Sequence, residues 1–119
     1  MVETIARDLE NALAKGHEVS GELQSLMGKA RKASDFLKAL AHENRLVILC
    51  LLSERERSVT ELEGLLALSQ ATVSQQLARL RHEGLVTPRR DGRVIYYSLA
   101  DETTRIFIHA IYEKFCRDC

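Results

Sequence analysis

Hydrophobic positions recur along most of the chain with the spacing of helices. Apolar residues three and four apart predict helices over residues 3–15, 22–40, 43–53 and 102–117. The helix over 43–53 is apolar on nearly every side, which predicts that it is central and buried. The helices over 22–40 and 102–117 carry more apolar surface than one small core needs. We therefore expect them to pack against a second copy of the chain.

Two shorter helices separated by a tight turn are predicted in the middle of the chain. Ser58 and Glu61 have the spacing of a capping box and predict a short helix that ends at about Leu66. Ser69 is placed to cap a second helix over residues 70–83. This order, helix, tight turn and helix, is typical of a helix-turn-helix.

The second of these helices has one apolar and one polar face. Val73, Leu77 and Leu80 form the inward stripe, and Gly84 follows the last turn as a C-terminal stop. The outward face begins with short polar side chains: Gln70, Thr72, Ser74, Gln75 and Gln76. Such side chains can hydrogen-bond base edges or phosphates in the major groove. A solvent-exposed amphipathic helix would show the same pattern, so this helix alone leaves both interpretations open.

A basic β-hairpin is predicted directly after the helix-turn-helix. Strand-forming residues 85–90 and 93–99 flank Asp91-Gly92, a dipeptide typical of hairpin turns. The tip of this hairpin carries three arginines, Arg89, Arg90 and Arg93. A basic hairpin beside a helix-turn-helix can reach phosphates or the minor groove. The sequence therefore predicts a winged helix-turn-helix that binds double-stranded DNA.

The net charge of zero hides an uneven distribution. Residues 70–99 hold five basic and two acidic side chains, whereas residues 41–69 hold three basic and five acidic ones. A positive footprint in one segment is what phosphate contacts require. The predicted DNA-binding residues are Ser69, Gln70, Thr72, Ser74, Gln75, Gln76, Arg79, Arg89, Arg90 and Arg93.

Several other classes of protein are disfavoured. The longest apolar run, Leu46 to Leu52, is too short to span a membrane, and no export signal precedes the first helix. Three cysteines do not make a secreted disulfide framework, so we expect a cytoplasmic protein. No nucleophile–base pair or glycine-rich phosphate loop suggests an enzyme.

Together these patterns predict a mainly α-helical, homodimeric winged helix-turn-helix with five to six helices and one β-hairpin. Residues 1–20 are predicted to form an N-terminal helical extension. Residues 21–119 are predicted to form the DNA-binding and dimerisation domain.

Three stretches, residues 37–46, 69–77 and 89–97, resemble the entry, recognition-helix and wing motifs of the ArsR/SmtB family. The resemblance covers about residues 22–117, although Glu43 stands where the family usually has proline. It implies a dimeric repressor that leaves its operator when an inducer binds, commonly a metal or metalloid ion.

The resemblance also locates the family's metal sites, and neither is preserved. The positions of the arsenic-type cysteine site hold Ser58, Thr60 and Glu63. The positions of the zinc-type site hold Asp101, Thr103, Lys114 and Arg117, of which the two cations would repel a metal. The four histidines form no ligand spacing. We therefore expect no bound metal and no cofactor.

Cys50 and Cys116 occupy positions similar to those of the cysteine pair in the persulfide-sensing, SqrR/BigR-type branch of the family. That resemblance implies a dithiol switch in which reaction with persulfides or polysulfides releases the repressor from DNA. Cys119, which closes a C-x-x-C with Cys116, is a candidate third thiol.

Four alternatives stay open. Cys50 alone is also typical of a small buried hydrophobe. The three cysteines could together hold a thiophilic metal or metalloid, or serve as a general peroxide-responsive switch. A winged helix can also act as a protein-interaction module that binds no DNA.

Overall fold

The computed structural model describes residues 2–16 and 20–115. Within these residues the chain forms six helices and one three-stranded sheet. The elements in order are α1 (Val2–Ala14), α2 (Ser20–Leu40), α3 (Glu43–Glu54), β1 (Arg57–Ser58), α4 (Val59–Leu66), α5 (Gln70–His82), β2 (Val86–Asp91), β3 (Val94–Leu99) and α6 (Glu102–Phe115). This order confirms the predicted mainly α-helical winged helix-turn-helix.

The chain divides into two compact units, residues 1–37 and 38–119. The first unit contains α1 and most of α2, and Ala12 is its buried residue among those described. The second unit contains the end of α2 and all later elements. The predicted boundary after residue 20 stays a prediction.

The core of the second unit is built from side chains of α3, α4, α5, α6 and the hairpin. Its fully buried members are Ile48, Leu49, Leu52, Leu62, Val73, Leu77, Leu80, Leu85, Val86 and Ile108. The predicted inward stripe of α5 is therefore confirmed. Burial of each such side chain contributes about 1.5–3 kcal/mol to the stability of the fold. These residues therefore fix the position of α5 against the rest of the second unit.

The prediction that α3 is buried on nearly every side was wrong for one face. Ile48, Leu49 and Leu52 are buried, but Val47 is 45% exposed and Cys50 is half-buried. In the second unit α3 packs against α5, α6 and β3. These elements cover the inner face of α3 and leave Val47 on the surface.

The sheet has the order β1-β3-β2, and both pairings are antiparallel. The predicted hairpin is confirmed, with Asp91 opposite Val94 and Gly92 in the left-handed region at φ 64°. Strand β1 was not predicted, because two residues are too few to show a period. It pairs with β3 near Tyr96 and Tyr97, so β2 is an outer strand.

Side-chain caps set where three helices begin. The hydroxyl of Ser58 accepts a hydrogen bond from the Glu61 amide at 3.0 Å, and that of Ser69 accepts from the Thr72 amide at 3.2 Å. Asp101 accepts from the Thr104 amide at 2.8 Å and caps α6. The N-caps predicted at Ser58 and Ser69 are confirmed. They satisfy amides that would otherwise lack a partner at the helix start.

The reciprocal half of the predicted capping box differs from the prediction. The Glu61 carboxylate accepts hydrogen bonds from Arg55 and from Arg57, the latter at 2.9 Å. A charge-assisted bond to a guanidinium is stronger than one to a neutral amide, which accounts for the difference. Two arginines beside Glu61 hold the pKa of its carboxyl below the ordinary value of 4.5.

Candidate DNA-binding surface and thiol groove

The first turns of α5 present most of the predicted recognition side chains. Gln70, Ser74 and Gln75 are exposed, whereas Thr72 and Gln76 are half-buried. The burial of Val73 and Leu77 on the opposite side of the helix orients this polar face outward.

Three of the predicted DNA-binding residues also have local structural roles. The hydroxyls of Ser69 and Thr72 lie 2.9 Å apart and hydrogen-bond each other at the start of α5. Arg79 in the later part of α5 lies 3.6 Å from Glu83, one turn further on. Ser69 and Arg79 remain exposed and Thr72 is half-buried, so these contacts orient side chains that solvent still reaches.

A polar cleft of about 200 Å³ separates the start of α5 from the wing. Gln70 and Ser74 line it from α5, Arg93 from the wing and Thr60 from α4. The structure therefore brings together residues of the recognition helix and one of the predicted wing arginines. Amides and positive charge at a helix start favour an anion such as a phosphate.

The three wing arginines are not equivalent. Arg89 donates from Nε and Nη2 to the two carboxylate oxygens of Glu56, at 3.0 and 2.6 Å. Its guanidinium also lies 4.7 Å from the centre of the Tyr96 ring. Arg90 and Arg93 are exposed, and neither makes an ion pair within residues 2–16 and 20–115. Two of the three arginines are thus available to a phosphate.

Two further arginines that the sequence patterns did not single out join α3 to its neighbours. Arg45 donates to the carbonyls of Ala39 and Lys38 at 2.6 and 3.3 Å, and lies 3.5 Å from the Gln76 side chain of α5. Its signal in the sequence is a lone cation at the start of an apolar helix. Arg45 therefore connects the end of α2 to the recognition helix.

Arg105 makes a second such link, between α6 and the end of α3. Its guanidinium donates to the Ser53 carbonyl, and the Ser53 hydroxyl donates to the Cys50 carbonyl at 2.6 Å. The backbone around Cys50 is thereby tied to α6. No periodicity marks Arg105, because its partner is a main-chain atom 52 positions away.

Cys50 lines an apolar groove of about 590 Å³ between α3 and α6, here called the thiol groove. Its walls are Leu46, Val47, Cys50, Leu51, Ser53, Glu54, His109, Ile111, Tyr112 and Phe115. The other two predicted thiols, Cys116 and Cys119, lie outside the described residues. Phe115, which directly precedes Cys116 in the sequence, is one of the walls.

Helix α6 exposes a large apolar face, as its pattern predicted. Ile106 and Phe115 are 63% and 69% exposed, and Phe107 and Tyr112 are also on the surface. Helix α3 adds Val47 to the exposed apolar side chains of this unit. Surface of this kind is typical of a protein–protein interface.

Metal ligands do not cluster in the described part of the chain. No group of three or more histidine, cysteine, aspartate or glutamate side chains there could hold a metal ion. His109 lies 3.6 Å from Glu113 on the same helix. In the same residues, no helix is long and apolar enough to cross a membrane.

The family described as "Bacterial regulatory protein, arsR family" matches residues 42–87. The transcriptional activator HlyU of Vibrio cholerae is 40% identical over 95 residues, which cover 80% of this chain and 88% of HlyU. This chain belongs to the ArsR family. It is accordingly a DNA-binding transcriptional regulator and not an enzyme.

Solved ArsR-family structures share the fold. Reduced HlyU from Vibrio cholerae aligns with a TM-score of 0.74 at 39% identity, over 79% of this chain and 99% of that one. The homodimeric winged helix-turn-helix domain of Mb0332 from Mycobacterium bovis aligns with a TM-score of 0.70 at 31% identity, over 74% and 82%. Homodimeric ArsR-type relatives of this chain therefore exist.

The relatives of this chain include both an activator and a repressor of transcription. Beside the activator HlyU, the biofilm growth-associated repressor of Agrobacterium fabrum is 42% identical over 94 residues, or 79% of this chain and 80% of that protein. Membership thus establishes regulation of transcription.

Proposed function

We propose that this ArsR-family chain is a homodimeric repressor that binds operator DNA when its cysteines are reduced. Persulfides or other reactive sulfur species release it by reacting with Cys50 and Cys116. The observation that carries the proposal is the position of Cys50 in the thiol groove, one wall of which is Phe115, the neighbour of Cys116 in sequence. Release would derepress genes of a sulfide response.

The DNA-binding part of the proposal rests on the α5 face and the wing. The exposed polar side chains of α5 enter the major groove, and Arg90 and Arg93 contact phosphates. Ser69, Thr72 and Arg79 are the proposed contacts at the edges of this surface. Two copies related by a two-fold axis would place two α5 helices in successive major grooves. The exposed apolar face of α6 and the homodimeric relative support that assembly.

The proposed chemistry begins with sulfur transfer to each cysteine. A cysteine thiolate attacks the outer sulfur of an organic persulfide, the sulfur–sulfur bond breaks and the donor leaves as a thiol. The Cys50 persulfide then attacks the inner sulfur of the Cys116 persulfide and expels hydrosulfide. The product is a trisulfide between the two residues.

A bridge between these cysteines would couple the groove to the recognition helix. It would tie α3 to the segment that follows α6, and Arg45 connects the start of α3 with Gln76 of α5 at 3.5 Å. A shift of α3 would then change the position of α5. Operator affinity falls if the bridged state has α5 helices spaced differently from successive major grooves.

The test combines intact mass spectrometry with operator affinity after separate exposure to an organic persulfide, hydrogen peroxide, oxidised glutathione and arsenite. We expect added sulfur bridging Cys50 and Cys116, with loss of DNA binding for the persulfide alone. Cys50→Ser and Cys116→Ser should keep DNA binding and lose the response, while Cys119→Ser serves as the matched control. Unchanged release in both of the first two variants would overturn the dithiol mechanism.

The other arms of the same test identify the competing inducers. A disulfide that forms equally well with peroxide would make the protein a general oxidation switch. Arsenic(III) bound by the three cysteine thiolates, with the oxygens of arsenite released as water, would make it a metalloid sensor. If DNA affinity shows no dependence on salt, the winged helix is instead a protein-interaction module.

A further inference from the structure

Glu56 occupies the two-residue connection between α3 and β1, directly beside the wing. Both of its carboxylate oxygens accept from the Arg89 guanidinium, at 2.6 and 3.0 Å, although the residues are 33 positions apart. The planar fork of arginine matches a carboxylate and a phosphate in the same bidentate way. Glu56 therefore occupies the side of Arg89 that a DNA phosphate would use.

The sheet holds this pair in place. Tyr96 in β3 lies opposite Ser58 on one side and Arg89 on the other, so the strand that follows Glu56 and the strand of Arg89 share a neighbour. The Arg89 guanidinium lies 4.7 Å from the centre of the Tyr96 ring. The carboxylate and the aromatic face therefore both attract the Arg89 guanidinium and hold it beside Glu56.

The two charges stabilise each other. The bond from Arg89 holds the pKa of the Glu56 carboxyl below its ordinary value of 4.5, and Glu56 raises the pKa of Arg89. Asp91 lies near the same guanidinium, with its oxygen 4.0 Å from Nη1. A phosphate that approaches Arg89 therefore meets two carboxylates.

We propose that Glu56 competes with DNA phosphates for Arg89, which makes Arg89 a wing-positioning residue and leaves Arg90 and Arg93 as the phosphate contacts of the wing. The inference rests on the proposed DNA binding and refines the role predicted for Arg89. Its consequence is selectivity. Phosphate contacts add to affinity for any duplex, so withholding one weakens non-specific binding while base contacts of α5 are kept.

The experiment measures affinity for a fluorescein-labelled 30-base-pair duplex of random sequence, because phosphate contacts do not depend on sequence. Fluorescence anisotropy over a salt series compares wild type with Glu56→Gln, Arg89→Ala, the double variant and Arg90→Ala. Each phosphate contact changes the slope of log affinity against log salt by about 0.9. One additional contact thus makes the loss of affinity between 50 and 200 mM salt about 3.5-fold larger.

We expect Glu56→Gln to steepen the slope by about 0.9 per protomer, and Arg89→Ala to leave it nearly unchanged. Arg90→Ala should make it shallower by about the same amount. In the Arg89→Ala background, Glu56→Gln should have no further effect on the slope. This non-additivity separates the proposal from a general loss of negative charge near DNA.

Two results would overturn the inference while DNA binding stands: an equal effect of Glu56→Gln in both backgrounds, or an effect of Arg89→Ala as large as that of Arg90→Ala. Binding that is absent or independent of salt in every protein would overturn the proposed function as well. Glu54→Gln is the matched control, because Glu54 is a nearby exposed carboxylate that pairs with Arg57 at 2.7 Å. It should leave the slope unchanged.

A second measurement covers the case in which Arg89→Ala loosens the wing. In ¹⁵N-labelled wild-type protein, the Arg89 Nε–H resonance should keep its chemical shift when the random duplex is added, because Glu56 remains its partner. In Glu56→Gln the same resonance should move on DNA binding. A wild-type resonance that moves as far as that of the variant would show that phosphate displaces Glu56 freely, which overturns the inference.

Discussion

The reading head, residues 58–99, and the α3–α6 side, residues 43–54 and 102–115, complete their packing differently. The reading head buries Leu62, Val73, Leu77, Leu80, Leu85 and Val86, with Leu65 and Val94 as its exposed large apolar exceptions. The α3–α6 side leaves Val47, Ile106, Phe107, Tyr112 and Phe115 exposed. The candidate DNA-binding surface therefore lies on a region that buries most of its large apolar side chains within one chain. The α3–α6 side keeps an exposed apolar face, and Cys50 lines the groove on this side.

The largest effect should come from removing a core side chain of the reading head. Leu77→Ala deletes a side chain that is 1% exposed and should lower the free energy of unfolding by about 2–5 kcal/mol. Leu65→Ala, at a residue 55% exposed, is the matched control and should cost less than about 1 kcal/mol. Urea denaturation measures both. Equal effects would show that the reading head is not packed as described.

A charge on the α6 face should break the proposed homodimer without unfolding the chain. Ile106→Glu places a carboxylate on the exposed apolar face, and its burial in a dimer would be unfavourable. We expect a monomer by analytical ultracentrifugation, and operator affinity at least about tenfold weaker because one half-site is lost. Leu65→Glu on the reading head is the control that should stay dimeric. If the Ile106→Glu variant stays dimeric, the dimer interface lies on another surface of the chain.

Features that depend on residues close together in the sequence could be predicted from it. The hairpin, the caps at Ser58 and Ser69, and the stop at Gly84 each depend on neighbouring residues, and all are present. Ala67, which ends α4 in the left-handed region at φ 54°, could not be anticipated, because glycine usually takes that position.

The polar pairs of the candidate site were harder to predict than its helices. Arg89 was identified as a DNA contact from its place in the wing, but its partner Glu56 lies 33 positions away. Arg45 and Arg105 bind main-chain carbonyls, which carry no residue-specific signal. The exposed Val47 shows a related difficulty, since periodicity reports which residues are apolar and not which elements remain to cover them.

Loss of a helix cap in the reading head should have a moderate effect. Ser58→Ala removes the acceptor of the Glu61 amide and should destabilise the protein by about 1 kcal/mol. Ser58→Asp retains an acceptor at that position and should recover most of the loss. Thermal unfolding monitored by circular dichroism measures both. A similar loss in the two variants would mean that the effect comes from the strand contact of Ser58 with Tyr96.

Acid should affect Glu61 in the reading head and Asp101, the cap of α6, in ways that salt distinguishes. Arginines lower the pKa of Glu56 and Glu61, whereas the amide and hydroxyl of Thr104 lower that of Asp101. A depressed pKa stabilises the folded state above the unfolded values of 4.5 and 3.8, and that stability is lost as pH falls through the lower folded values.

The measurement is the urea midpoint from neutral to acid pH at low salt and at about 1 M salt, where screening acts over about 3 Å. High salt should reduce the difference between wild type and Glu61→Gln. It should change the difference between wild type and Asp101→Asn less, because the partners of Asp101 are uncharged. An equal response to salt at both sites would contradict this assignment of causes.

The outer position of β2 in the sheet also bears on solubility. An open strand edge can recruit a strand of another molecule, which is a common route to aggregation. The sequence of β2 opposes this, because Pro88 has no N–H to donate and Arg89, Arg90 and Asp91 carry charge along the rest of the strand. We therefore expect copies of the protein at high concentration to remain separate rather than to associate through their wings.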